Sequence, residues 1–248
     1  MFLVAKAHLW MPSTFTLGSP SNCASCEYRS LRMFCNLDDR ALAEYSAMGT
    51  EARLPKGTIL FDESAPSTNV FVLCTGQVKL FCTSKEGKTL ILKIAMPGDV
   101  LGLGAVISGT PYEVTAETIQ PTQVKSIRRD DFLAFLQRNS EAGLKAATSL
   151  SDDYKAAFFD ARRLALSSSS AGRLAGVLLD WGRTAAACGK LEMRFTMALS
   201  HEDLASLVGS SRETVTRNLS QFKRDNLIQV RGSSILILAP KLLEQLAV

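Results

Sequence analysis

The sequence predicts an α+β chain made of an N-terminal antiparallel β-roll, a long dimerisation helix and a C-terminal winged helix-turn-helix. Three observations carry this. Between about residues 52 and 129 short β-rich runs alternate with glycines; from about Glu141 to Leu166 apolar residues recur in steps of three and four; and residues 199–238 read as capped helix, glycine turn, capped helix and hairpin. The chain has 248 residues, 46% of them hydrophobic, which suits one large or two modest domains with a real core and excludes whole-chain disorder. Four segments are expected: an arm with a cysteine segment over 1–36, the β-roll over 37–140, the dimerisation helix over 141–166 and the winged helix-turn-helix over 167–248.

The arm, residues 1–22, carries Pro12, Gly18 and Pro20 without periodicity. Its apolar start is interrupted by Lys6 and no small-residue cleavage site follows, so it is not expected to act as a signal peptide. No run approaches the roughly 18 apolar residues of a membrane span. The expected setting is cytoplasmic and reducing, without a membrane partner, where thiols are free or metal-bound rather than in disulfides. Of six cysteines, Cys23, Cys26 and Cys35 crowd into one short stretch, as metal or redox sites do. Cys74 and Cys82 alternate into strand patterns and read as small core residues, and Cys188 as loop packing.

From Asp38, a plausible N-cap, Leu37, Leu42, Tyr45 and Met48 fall at helical spacing, and Gly49 ends the helix. Thr58–Phe61, Asn69–Cys74, Gln77–Thr83, Thr89–Ala95, Glu113–Glu117 and Gln123–Ile127 are each strand-like, with Gly57, Gly76, Gly87 and Gly98 at their boundaries. Residues Ser84–Lys88 form the clearest hairpin loop, and the evenly spaced turns suggest a small antiparallel barrel or roll. Apolar positions 144, 147, 150, 154, 158, 161 and 165 then make a narrow seam, which suits a helix lying on the roll or, preferably, pairing with its twin in a homodimer.

In the last segment Ser200 with Asp203 makes a capping box, with Leu204, Ala205 and Val208 facing inward, and Gly209 allows the turn. Ser210 or Ser211 caps a second helix whose inner face is Val215, Leu219 and Phe222. Two short helices joined by a glycine turn are a helix-turn-helix. Arg212, Glu213 and Arg217 lie on the outer face, and these side chains match base edges: Arg holds guanine O6 and N7, and Glu accepts from cytosine N4–H. The partner is therefore double-stranded DNA, with Ser200, His201, Ser211, Arg212, Glu213, Thr214 and Arg217 at the interface. A hairpin over Leu227–Val230 and Ile235–Leu238 forms the wing, where Arg231 can touch phosphate. Residues 167–248 hold ten basic and seven acidic residues, so +3 of the net +4 lies there.

These motifs closely resemble the CRP/FNR family of bacterial transcription regulators, from about residue 20 to 240. The resemblance implies a cyclic-nucleotide-binding-like jelly roll, homodimerisation, a palindromic operator and RNA polymerase as a partner. Ser211-Arg-Glu-Thr-Val215 followed by Arg217 looks like the recognition helix of the cyclic-AMP receptor branch, so a half-site nearer TGTGA than TTGAT is expected. The sensory end departs from that branch. Where a Gly-Glu-Leu loop and an Arg-Ser pair hold a cyclic nucleotide, this chain has Leu103 and Tyr112-Glu113; without the arginine, and facing Glu113, a phosphate would be repelled.

Oxygen sensors of the FNR type carry an N-terminal cysteine cluster with a fourth cysteine in the roll. Here Cys35 comes later than the third FNR cysteine, and the strand expected to supply the fourth reads Gln123-Val-Lys-Ser-Ile127. Cys23, Cys26 and Cys35 remain open to three readings: a [4Fe–4S] cluster completed by another ligand, a single metal or thiol redox switch, or a structural role. The expected signal is redox or gaseous, oxygen or nitric oxide; the alternative is an effector-gated regulator of the same fold with structural cysteines only. Two histidines, no nucleophile motif and no phosphate loop argue against an enzyme.

Overall fold

The computed structural model describes Arg29 and residues 33–166, 169–187 and 192–247. The chain divides into two compact units, Leu17–Phe158 and a second formed mainly by Phe159–Val248, and the division falls inside the long helix.

The first unit opens with α1 (Asp39–Ala47), capped by the Asp38 side chain, which accepts from the Ala41 N–H at 2.9 Å. Gly49, at φ +70°, turns the chain where a Cβ would sit 2.1 Å from the Ser126 carbonyl oxygen, so no larger residue fits. The strands are β1 (Thr50–Leu54), β2 (Ile59–Phe61), β3 (Asn69–Thr75), β4 (Val78–Thr83), β5 (Thr89–Ala95), β6 (Val100–Leu101), β7 (Thr115–Thr118) and β8 (Thr122–Arg128). They form two antiparallel sheets, in the orders β1-β8-β3-β6 and β2-β7-β4-β5. Alternation on β3 sorts the two cores. Leu73, with Phe71 packed alongside, faces an interior lined by Leu101, Val124, Phe61, Val78, Ala95, Ala116 and Tyr112. Val70 and Val72 face the opposite way, toward the helices.

That second core joins Phe34, Leu37, Leu42 and Tyr45 to Phe132 and Phe135 of α3 (Arg129–Arg138) and to Ala142 and Ala146 of α4 (Ser140–Leu166). Phe34 lies 5.8 Å from Phe132 and Tyr45 5.8 Å from Phe135, centroid to centroid, within the range of favourable aromatic pairs. Two helices here, α2 (Leu103–Ser108) and α3, go beyond the strand pattern read from sequence, as does β1, whose residues are mostly exposed and lack apolar alternation. Cys74 and Cys82 are half-buried rather than core, each sulfur 3.9 Å from a backbone carbonyl.

α4 has 27 residues and is about 40 Å long at 1.5 Å per residue. It turns Ala142, Ala146 and Leu150 toward the roll, and the two alanines let its first turns approach closely. Most of the seam read from sequence lies elsewhere: Leu144 is 69% exposed, Tyr154 73% and Phe158 60%. A polar tie supplements the apolar contact. Lys93 on β5 donates from Nζ to Asp153 of α4 at 2.8 Å and pairs with Asp99, in the turn before β6, at 3.2 Å.

In the second unit the end of α4 is followed by α5 (Ser170–Ala187), β9 (Arg194–Thr196), α6 (His201–Val208), α7 (Arg212–Arg224), β10 (Ile228–Arg231), β11 (Ser234–Ile237) and α8 (Pro240–Ala247). Leu174, Ala175, Leu178 and Leu179 of α5 are buried and form its centre with Leu204, Val215, Leu219, Phe222 and Leu243. Arg163 pairs with Asp180 of α5, and Arg183 with Glu244 of α8. The wing hairpin gains a third strand, β9, which pairs with β11.

Candidate nucleic-acid interface and sensory segment

Ser200 starts α6 with a full capping box: its Oγ accepts from the Asp203 N–H at 3.1 Å, and Asp203 accepts from the Ser200 N–H at 3.1 Å. Gly209 ends α6 in the left-handed region at φ 61°. Arg173 of α5 fixes this turn, donating from Nε to the Val208 carbonyl at 2.6 Å and from Nη2 to the Gly209 carbonyl at 3.2 Å. A guanidinium suits these carbonyls because they end α6, where the helix dipole is negative. Ser211 then starts α7, accepting from the Thr214 N–H at 3.2 Å and donating to Thr214 Oγ1 at 3.0 Å.

Along α7, Val215, Leu219 and Phe222 are buried while Arg212, Glu213, Thr216 and Arg217 are exposed. Among the described residues no ion pair or side-chain hydrogen bond engages the charged groups of Arg212, Glu213 or Arg217. Arg163, Arg173, Arg183 and Arg194 in the same unit are all paired. Held by a helix whose other face is fully packed, the three charges present their donors and acceptors outward at fixed spacing, as direct base readout requires.

The remaining sequence-predicted contacts divide. Ser200, Ser211 and Thr214 spend their hydroxyls on helix ends, so they shape the interface more than they reach from it. His201 is exposed and its Nδ1 lies 2.9 Å from Thr216 Oγ1, bridging α6 to α7. Arg231 stands exposed at the tip of the wing, next to Gly232 at φ 58°. Thr216 lies on the outer face of α7, as its spacing predicts, while Arg173 has no local motif; its signal is one arginine directly before the apolar run Leu174–Leu179 of α5.

In the first unit, Leu103 is buried at 2% exposure, and the Tyr112 ring stacks on Phe61 with centroids 4.0 Å apart. The Tyr112 hydroxyl donates to the Asn69 carbonyl at 2.6 Å and accepts from the Asn69 N–H at 3.2 Å. Burial pushes its pKa up, against the opposing effect of the Asn69 hydrogen bond. Gly102, at φ +75°, permits this packing, since a Cβ there would lie 2.7 Å from the ring. Where the cyclic-nucleotide branch needs a phosphate-binding arginine, this roll holds a buried phenol, followed by the exposed Glu113.

Of the three clustered cysteines, Cys23 and Cys26 lie outside the described residues, as does Cys188. Cys35 is 6% exposed, between Phe34 and Leu37 of the helical core. No group of three metal-ligating side chains occurs among the described residues. The strand expected to supply a fourth thiol carries Lys125, buried at 3% exposure, whose ammonium donates to the Ser46 carbonyl at 2.6 Å and lies 5.3 Å from the Tyr45 ring centroid. An ammonium cannot ligate a metal, so the described residues do not by themselves fit a cluster.

The geometry defines a two-unit regulator with a β-roll and a winged helix-turn-helix. Residues 51–139 match the sequence model of the cyclic nucleotide-binding domain, and residues 172–246 that of the Crp-like helix-turn-helix domain. The chain is 26% identical over 214 residues to the CRP-like cAMP-activated global transcriptional regulator of Mycobacterium tuberculosis, covering 83% of this chain and 91% of that protein. It is 24% identical over 225 residues to the nitrogen fixation regulation protein FixK of Bradyrhizobium diazoefficiens, covering 91% and 93%. The solved structure of FixK2 from Bradyrhizobium japonicum shares the fold at a TM-score of 0.72 and 24% identity, covering 81% of this chain and 98% of that one. The chain belongs to the CRP/FNR family and is a DNA-binding transcription regulator. No helix among the described residues is long and apolar enough to cross a membrane.

Proposed function

We propose that the protein acts as a homodimer on a palindromic operator and that its three-cysteine segment answers a redox or gaseous signal. The uncommitted Arg212, Glu213 and Arg217 on the packed α7 carry the DNA reading. Dimerisation is supported by the aromatic and aliphatic stripe of α4, Leu144, Tyr154 and Phe158, which the first unit leaves exposed; a twin helix is the partner that a repeating seam suits. Two-fold symmetry then sets recognition helices about 34 Å apart. Selection of bound duplexes from a random pool tests this: inverted repeats one helical turn apart are expected, and enrichment of a single asymmetric site would overturn it.

For the signal, the position of Cys35 supports the cysteine reading. It is buried and lies in sequence between Phe34 and Leu37, which belong to the core that also receives Ala142 and Ala146 of α4, so chemistry at this thiol would bear on the segment that packs against the first turns of that helix. An iron–sulfur cluster on Cys23, Cys26 and Cys35 would supply redox and oxygen reactivity, and a further ligand would complete it. Anaerobic purification with iron and sulfide analysis tests the cluster: a brown protein absorbing near 420 nm is expected. Colourless, iron-free protein whose DNA affinity ignores oxidant would remove the cysteine segment from the sensing role. Cyclic nucleotides are disfavoured by Tyr112 and Glu113. The cAMP response named for the mycobacterial relative would transfer here only if calorimetry with cyclic AMP gave saturable heat.

A further inference from the structure

In the last turns of α4, Arg163 alone among residues 161–166 is partly buried. Its guanidinium reaches across α5 to pair with Asp180, while Asp160, one turn back on α4, stands 3.8 Å away. Gly176 makes the slot it occupies. A Cβ there would lie 3.2 Å from Arg163 Nε, 3.5 Å from Cζ and 3.6 Å from Cδ, so its three nearest atoms would all be those of Arg163. Gly176 is buried, and glycine inside a helix is less favourable than alanine. α5 thus gives up local stability at one position and lets the arginine lie against its backbone. Asp180 also meets Arg183 at 4.0 Å, and Arg183 pairs with Glu244 of α8, so the contact belongs to a network across three helices of the second unit.

The same helix holds the helix-turn-helix. Three residues before Gly176, Arg173 grips the Val208 and Gly209 carbonyls, and the Ser170 hydroxyl accepts from Asn218 Nδ2 of α7 at 3.3 Å. Leu164, next to Arg163, approaches that turn as well, its Cδ2 lying 3.5 Å from where a Cβ of Gly209 would be. α5 is therefore joined to the end of α4 on one side and to the turn and helix that face DNA on the other. An ion pair at this exposure, 26% for the Arg163 side chain and 49% for Asp180, adds little stability, but a planar guanidinium in a fitted slot fixes direction. We infer that Arg163 is a positioning residue for operator binding: seated against Gly176, it sets the angle between the last turns of α4 and the helix-turn-helix, and so the half-site separation that the regulator accepts. This rests on the homodimer proposed above.

One base pair added between half-sites moves them apart by about 3.4 Å and turns one against the other by about 35°. A seated Arg163 resists that change. The test uses the full chain and a palindromic duplex obtained by selection, with further duplexes whose spacer is one base pair longer or shorter. Wild type should bind the altered spacers at least about tenfold more weakly, and in Arg163→Met the penalty should shrink to about threefold, with base preference inside each half-site retained. Gly176→Leu should do the same from the other side, since its side chain takes the slot while α5 gains a better helix former. Sedimentation follows the dimer and calorimetry the second unit; should Arg163→Met lose that unit's melting transition, Gly176→Leu decides. A dimeric wild type that discriminates spacers, with folded variants that discriminate them equally, would overturn the positioning role alone. A monomeric wild type, or one indifferent to spacing, would overturn the homodimer reading and the inference with it.

Discussion

Replacing Lys93 with Met probes how the roll grips α4. Methionine keeps the aliphatic bulk and removes the ammonium that ties Asp99 to Asp153. At 2.8 and 3.2 Å, each pair attracts by about 5–6 kcal/mol at an effective dielectric of about 20. Desolvation of the three ions offsets most of this, and the Lys93 side chain keeps 29% exposure, so a loss of about 2–3 kcal/mol is expected. For a unit of this size that corresponds to roughly 10 °C, read by calorimetry, which separates the transitions of the two units. Burial disfavours the ammonium, but Asp99 and Asp153 outweigh it and raise the pKa of Lys93. Its stabilisation is therefore complete below the ordinary lysine value of about 10.4 and lost as pH rises through the higher folded value. The alkaline decline in melting temperature should be shallower in Lys93→Met. A variant melting within about 2 °C of wild type, with the same alkaline profile, would show that the triad contributes nothing.

Tyr154→Glu with Phe158→Glu should abolish the proposed homodimer in sedimentation, with each unit's melting transition retained, since both side chains are exposed in the single chain. Gly102→Ala should destabilise the roll by about 2–4 kcal/mol in calorimetry, because it meets the Tyr112 ring at 2.7 Å and a backbone at φ +75°. Arg173→Met should weaken binding to specific and scrambled duplexes alike, because it loosens the α6–α7 turn without touching a base-reading side chain.

The helix-turn-helix was legible in sequence because its determinants are local. Ser200 and Asp203, Gly209 and Ser211 act over three residues or fewer, and the inner face of α7 repeats every three or four. What escaped depends on distant partners. β1 has no apolar alternation and exists through its ladder with β8, from Thr50 opposite Ser126 to Leu54 opposite Thr122. The exposed seam of α4 was visible as a pattern, but only the packing shows that Ala142 and Ala146, small residues between its apolar positions, are what the roll receives. Sequence showed that the cyclic-phosphate arginine is missing; it did not show that Tyr112 fills the interior and spends its hydroxyl on Asn69. Arg173 lies 35 residues from the carbonyl it holds, beyond any local motif.

Base-resolved binding by Arg212→Ala tests the central claim most directly. On a selected palindrome and its single-base variants, the substitution should cost about 1–3 kcal/mol and relax preference at one base pair of each half-site. Arg231→Ala at the wing, by comparison, should lower all affinities together and reduce the salt slope by about 1. If Arg212→Ala discriminated among the variants as wild type does, α7 would not be the helix that reads the operator.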